Sequence, residues 1–280
     1  MGGKPDFRAD LHCHSTCSDG SLSPEQLVAH AYEIGLKGLS ITDHDTVDAY
    51  PNAEEVGKQL GVRVLPGVEF SAQLQGRGVH VLGYAFEANH QSLQTLVHRH
   101  QGRRQARNAA ILTKLQKRGM MIYEEDLPGP LNKLGRPHIA AALVKKGYVT
   151  SIQGAFKRWI GEGTSCFERG EGISVVDTVQ AIREAGGIAI LAHPHLIKDR
   201  SLQRQLLAMS FDGLEGYYAY FPKEVDEQWC RRAEERGWLI TGGSDFHGDP
   251  KPQNRLGRSW VGEEVFEELW KHYQKVTKIP

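Results

Sequence analysis

The 280-residue chain has no excess of charge of either sign: Lys and Arg total 34, and so do Asp and Glu. A surface built to hold long polyanions is therefore not expected, and any anion site must be local. Cysteine is scarce, with only Cys13, Cys17, Cys166 and Cys230, too few and too scattered for a disulfide framework in a chain this long. Cys13 and Cys17 stand beside two histidines, yet no second Cys/His pair follows at zinc-finger spacing. No apolar run approaches the roughly 20 residues that span a bilayer, and the first residues lack the apolar core of a signal peptide, so a cytoplasmic protein is expected. What the chain does have is 13 histidines, several of them in short clusters with acids.

From the start to about residue 87, short apolar runs alternate with amphipathic helices, the pattern of a parallel α/β architecture. Ser23-Pro24-Glu25-Gln26 predicts a helix start: a serine cap, proline at the first helical position and a glutamine three residues beyond the cap. Strands are expected at 38–42, at 62–65 running on to Gly67-Val68-Glu69, and at 79–84. Between about 90 and 160 strands give way to helices, which predicts an inserted helical subdomain. The alternation resumes with helices at 175–185 and 224–236 and strands at 188–192, 213–217 and 239–243. The expected division is 1–89 and 161–280 as two parts of one α/β body, with 90–160 inserted.

Ligand-type residues recur at the ends of the predicted strands: His12 and His14, His44, Glu69, His193, then Asp245 with His247. In a barrel of parallel strands those ends share one rim, which brings distant residues together. Alternation along a strand points His12 and His14 to the same side, and Asp245 and His247 repeat the spacing. A single histidine beside an apolar strand is usually a hydrogen-bonded structural residue. A series of such groups is costly to desolvate unless paired or metal-bound.

Asp10-Leu11-His12-Cys13-His14-Ser15, Asp19-Gly20, Thr42-Asp43-His44-Asp45, Gly67-Val68-Glu69, Ala192-His193-Pro194 and Gly243-Ser244-Asp245-Phe246-His247 resemble the ordered motifs of the PHP (polymerase and histidinol phosphatase) family. The likeness spans nearly the whole chain outside the helical insertion. It implies an α/β fold, a distorted (β/α)7 barrel carrying the inserted helical subdomain, and two or three bound divalent ions. It also implies that His12, His14, Glu69 and Asp245 surround a first ion. Glu69 would bridge to a second ion held with His80 and His193, and Asp19, His44 and His247 would hold a third. If only two ions bind, Asp19 and His44 face the substrate phosphate instead. Glu69, Asp245 and His193 are then the expected catalytic centre. Asp10 and Asp43, adjacent to the ligands, are expected to orient imidazoles by accepting their free N–H. Adjacent divalent ions acidify a water, clamp phosphoryl oxygens and neutralise charge on a leaving oxygen, which suits phosphate ester hydrolysis. A mixed nitrogen and oxygen donor set fits manganese, iron or zinc, with manganese favoured. His195 is available as a leaving-group acid, or is a loop residue with no role.

The insertion carries Arg103-Arg104-Gln105-Ala106-Arg107-Asn108 on a predicted helix, where 103 and 107, like 104 and 108, share a face. Guanidinium forks match phosphate oxygens, although a basic helix face is often simply solvated. Gly135-Arg136-Pro137-His138 opens another helix with a basic residue where N–H groups already favour anions. Arg103, Arg104, Arg107, Asn108, Arg136 and His138 are thus the candidate substrate-binding set of a lid. The arrangement resembles the 3′,5′-nucleoside bisphosphate phosphatase branch of the family. That likeness implies removal of the 3′-phosphate to leave a nucleoside 5′-monophosphate. Some relatives of that branch also trim short RNA from its 5′ end, and the neutral net charge allows oligonucleotides of a few residues but not tight binding of long nucleic acid. Histidinol phosphate hydrolysis and a non-catalytic, metal-stabilised module are the competing expectations. No membrane or protein partner is expected.

Overall fold

The computed structural model describes residues 7–219 and 221–278. The chain divides into two compact units, Met1–Leu96 with Ile173–Pro280, and Val97–Gly172. Among the described residues, no helix is long and apolar enough to cross a membrane.

The first unit opens with β1 (Ala9–Cys13), α1 (Pro24–Glu33), β2 (Gly38–Ile41), α2 (Tyr50–Leu60), β3 (Arg63–Val64), β4 (Gly67–Leu74) and β5 (Arg77–Tyr84). Next come α3 (Gln91–Gln116), α4 (Arg136–Lys145) and the short α5 (Ile152–Ala155). The α/β part then resumes as α6 (Val175–Glu184), β6 (Ile188–Leu191), α7 (Arg200–Leu207), β7 (Gly213–Tyr218), α8 (Lys223–Glu234), β8 (Leu239–Gly243) and α9 (Glu263–Thr277). The cap of α1 forms as its sequence dictates. The Gln26 N–H donates to Ser23 Oγ at 3.3 Å, and the Ser23 N–H donates to Gln26 Oε1 at 2.9 Å.

The strands form two sheets, ordered β1-β2-β3 and β4-β5-β6-β7-β8. β1, β2 and β3 are parallel, as are β6, β7 and β8. The wholly parallel arrangement expected from the sequence fails at β5, which runs antiparallel to both β4 and β6. The cause is local. Gln75 and Gly76 both take positive φ, 50° and 74°, the two-residue turn that lets a twisted hairpin close directly. Isolated bridges join the end of β1 to the chain beyond β8 (Cys13 with Phe246), and the chain beyond β2 to β4 (His44 with Glu69).

Hydrophobic residues fill the inside of this unit, with Leu11, Leu65, Leu82, Tyr84, Ile190 and Phe266 in one cluster and Leu27, Val28, Leu39 and Ile41 in another. The second unit has a core of its own, including Ile111, Leu115, Ile139, Leu143 and Ile160.

Candidate metal centre

Backbone pairing sets the level at which the polar residues meet. His44 is bridged to Glu69, Ser71 pairs with His80, and the Ala192 N–H donates to the His80 carbonyl at 3.2 Å. On the other side, the Asp245 N–H donates to the His12 carbonyl and the His14 N–H to that of Phe246, both at 2.8 Å. Glu69 is therefore not at the end of its strand, as the sequence suggested. It is the third residue of β4, and the hairpin runs on past the site. Two glycines permit the tight approach: a Cβ on Gly243 would strike the backbone of His12, and one on Gly20 the carbonyl of His14. Asp45, His193 and Asp245 all hold positive φ, at 59°, 24° and 51°, a concentration of backbone strain beside the cluster.

Glu69 is the hub, buried and approached by five imidazoles. Its Oε2 is 3.3 Å from His12 Nε2, 3.2 Å from His14 Nε2 and 3.2 Å from His44 Nδ1. Its Oε1 is 2.7 Å from His80 Nδ1 and 2.8 Å from His193 Nε2. Asp245 Oδ1 stands 3.5 Å from His12 Nε2, 3.3 Å from His14 Nε2 and 3.5 Å from His247 Nδ1. Asp19 Oδ1 is 3.3 Å from His247 Nε2 and 3.7 Å from His14 Nδ1.

Among the described residues, three groups have donor atoms close enough to converge on an ion: His12, His14, Glu69 and Asp245; His14, Asp19, His44 and His247; and His44, Glu69 and His80. His193 adjoins the last group, its Nε2 3.3 Å from His80 Nδ1.

These groups can hold metal, and the polar atoms left over fit that role. Both ring nitrogens of His14, Nδ1 of His44 and Nε2 of His247 are buried without a hydrogen bond, a costly state that a bound cation relieves. Burial alone would raise the carboxyl of Glu69, but His80, His44 and His12 hold it well below the usual range. Asp19, opposed to His44, His247 and His14, and Asp245, opposed to Lys251 and His14, are depressed in the same way against burial. Burial drives His44 down to about 3. His14 is pushed up to about 9, because Asp245 and Glu69 outweigh burial. Ionised carboxylates interleaved with imidazoles form a donor set for a hard or borderline divalent ion.

The neighbours of the cluster differ from expectation. Asp10 accepts from the backbone N–H groups of His12 (3.2 Å), Ser244 (2.9 Å) and Gly257 (2.8 Å), so it ties β1 to the loops after β8 and orients no imidazole. Asp43 likewise accepts from the Ser15 N–H at 2.8 Å and from the hydroxyls of Ser15 and Ser18, both at 2.5 Å. The acid that does hold an imidazole is Glu215, which the sequence reading missed. His12 Nδ1 lies 2.9 Å from its Oε1. A carboxylate amid a short, wholly apolar strand was the available signal. His195 lies buried against Tyr218 and Phe221, with Nε2 3.0 Å from Asp226, and reaches the cluster only through Tyr218 among the described contacts.

In the second unit, the basic face of α3 is tied to the segment before α4. Arg104 and Arg107 donate to the Leu134 carbonyl at 3.3 and 3.5 Å. The Asn108 amide donates to the Leu131 and Leu134 carbonyls, both at 2.8 Å, and its Oδ1 accepts from Arg107 at 3.2 Å. Those bonds make Asn108 a holder of Arg107. Gly135 N–H donates to His138 Nδ1 at 3.1 Å, and Arg136 packs over Phe156 and Phe167. Burial, with the nearby charges of Arg103 and Arg104, lowers the Arg136 guanidinium below its ordinary value.

A mixed α/β fold that gathers an acid and imidazole cluster of this kind fits a metal-dependent phosphoesterase, and the comparisons agree. The chain belongs to the PHP domain family, whose model matches residues 10–279. It is 36% identical over 244 residues to a 5′-3′ exoribonuclease of Haemophilus influenzae, covering 85% of this chain and 89% of that one. It is 34% identical over 250 residues to a phosphoribosyl 1,2-cyclic phosphate 1,2-diphosphodiesterase of Eggerthella lenta, covering 85% and 94%. A 3′,5′-nucleoside bisphosphate phosphatase of Chromobacterium violaceum is 24% identical over 280 residues, covering 95% and 96%. Among solved structures, a candidate metal-dependent phosphoesterase of Bifidobacterium adolescentis superposes with a TM-score of 0.86 at 28% identity, covering 96% and 97%.

Proposed function

We propose that this enzyme hydrolyses the phosphate ester at the 3′ oxygen of a nucleotide that also carries a 5′-phosphate, and that its simplest substrate is a nucleoside 3′,5′-bisphosphate. One observation carries the reading: a single chain holds both a cluster suited to adjacent cations and a gathered set of guanidinium groups, Arg103, Arg104, Arg107 and Arg136. Two or three divalent ions, manganese in preference to iron or zinc, would be held by His12, His14, Asp19, His44, Glu69, His80, His193, Asp245 and His247. When bound, they acidify the attacking water and draw charge from the phosphoryl group. In the balanced reaction, water adds to phosphorus, the bond to the 3′ oxygen breaks, and that oxygen leaves with a proton. The arginines would hold the 5′-phosphate through paired N–H donors.

A second reading, 5′→3′ trimming of short RNA, involves the same bond, since the leaving nucleoside 5′-monophosphate is identical. Two observations favour it. An exoribonuclease stands among the relatives, and a cleft of about 240 Å³ lined by His80, His193, Leu196, Ile197, Lys198 and Leu202 offers room beside the cluster for a chain to continue.

Incubation of metal-loaded protein with adenosine 3′,5′-bisphosphate should release inorganic phosphate and adenosine 5′-monophosphate. No turnover with manganese, iron or zinc would discard the first reading. A short 5′-phosphorylated oligoribonucleotide left intact under the same conditions would discard the second.

A further inference from the structure

β7 supplies none of the clustered donors, yet it touches more of them than its position in the chain suggests. Glu215 is fully buried and divides its oxygens. Oε1 lies 2.9 Å from His12 Nδ1, while Oε2 accepts the His193 N–H at 2.7 Å. Tyr218, three residues on, donates its hydroxyl to Asp245 Oδ2 at 2.7 Å, and Lys251 Nζ donates to the same oxygen at 2.9 Å. Asp245 is thereby left with Oδ1 facing His12 and His14.

A regular strand cannot do this, because residues three apart point to opposite faces. The pairing of β7 with β8 explains it. Glu215 pairs with Thr241 and Tyr217 with Gly242, so Gly216 is one residue too many on β7. This bulge re-aims the next two side chains: Tyr217 turns out to 40% exposure, and Tyr218 turns in beside Glu215. Gly216 is also the residue that fits there, because a Cβ would come within 2.6 Å of Ile240 Cγ2 and 2.8 Å of Cys230 Sγ.

We infer that β7 is a positioning strand for the metal centre. The bulge at Gly216 lets Glu215 and Tyr218 act from one face, presetting His12, His193 and Asp245 to receive cations on both sides of Glu69. Glu215 Oε1 holds His12 through Nδ1, which fixes the ring with Nε2 turned toward the cluster. Its other oxygen pins the His193 backbone, whose φ of 24° would otherwise relax. Tyr218 and Lys251 confine Asp245 to coordination through one oxygen. Such outer partners typically govern metal affinity by 10–100-fold.

The inference rests on the proposed metal site, so its test reads metal binding in place of turnover. The full chain, stripped with a chelator, is titrated with manganese by calorimetry, and the metal-free melting temperature is recorded alongside. Glu215→Gln keeps the shape but turns an amide donor toward either His12 or His193. It should weaken the tightest manganese binding by about 10–100-fold with little change in melting temperature. Tyr218→Phe should weaken it by about tenfold, and it carries the test if the first variant does not fold. Excess manganese should restore turnover in both. Variants that bind manganese as tightly as the parent overturn the inference while sparing the metal reading. A parent that binds no manganese, iron or zinc overturns both.

Discussion

The two units bury charge in opposite ways. In the first, carboxylates and imidazoles are packed against each other until every acid of the cluster faces at least one imidazole. In the second, guanidinium groups gather: burial, with Arg103 and Arg104 acting against Glu162, lowers Arg136, and backbone carbonyls are among their partners. Mixed signs at donor distance suit a cation. Like charges suit an anion that comes and goes with the substrate. On the proposed reading, chemistry resides in the first unit and selectivity in the second, and that reading can be broken from either side.

The largest effect is expected at the hub. Glu69 belongs to two of the three donor groups and touches five imidazoles, so Glu69→Gln removes the charge that those five rings face. Metal-assisted charge stabilisation contributes several kcal/mol, and each 1.36 kcal/mol is a decade in rate, so kcat/KM should fall by roughly 10³ or more. Steady-state kinetics and melting temperature are measured together. Lost turnover with retained folding supports a catalytic cluster, whereas collapse of the fold in a chain that was never active marks a structural module.

An intermediate and selective effect is expected in the second unit. Replacing Arg103 and Arg107 together by lysine keeps the charge but removes the planar fork. Hydrogen bonds to charged groups contribute about 1.5–3 kcal/mol, so KM for adenosine 3′,5′-bisphosphate should rise about 10–100-fold. Turnover of p-nitrophenyl phosphate, which has a single phosphate, should stay within about twofold of the parent, well under 1 kcal/mol. Equal losses on both substrates would mean that the arginines do not read a second phosphate.

The same contrast explains what was legible beforehand. Most of the clustered residues of the first unit were readable because they appear beside apolar strands, where an unpaired polar group is costly, and recur in order, whereas Asp19 and His80 were reached only through the family resemblance. The direction of β5 was not. Alternation is blind to strand polarity, and Gln75-Gly76 is a weak turn signal beside Asn-Gly. Asp10 and Asp43 were misjudged because adjacency in sequence says nothing about which atoms a carboxylate meets, and here they meet backbone N–H groups and serine hydroxyls. Glu215 was missed because the strand pattern does not say which groups its oxygens meet, and Tyr218 because its inward turn depends on a bulge that only the register with β8 reveals. In the second unit, arginines on one helical face fit solvation and phosphate binding equally well, so the sequence pattern could propose a role and not decide it.

The smallest expected effect sharpens the comparison within a single strand. His12 and Cys13 are neighbours on β1, but alternation sends them to opposite sides. His12 meets Glu69, whereas Cys13 packs among Leu27, Val28, Leu39 and Ile41 and directs its thiol to the Ser40 carbonyl at 3.4 Å. Burial, reinforced by the negative charges of Asp10, Asp43 and Asp245, holds that thiol well above its ordinary pKa, so it is a poor source of the thiolate a metal would want. Cys13→Ala should therefore keep metal stoichiometry unchanged and activity within about twofold, while costing about 1 kcal/mol of stability from the small void left in the core. Metal content by elemental analysis and a denaturant melt read the two quantities separately. A loss of bound metal would place sulfur among the donors and redraw the boundary between the polar and apolar faces of β1.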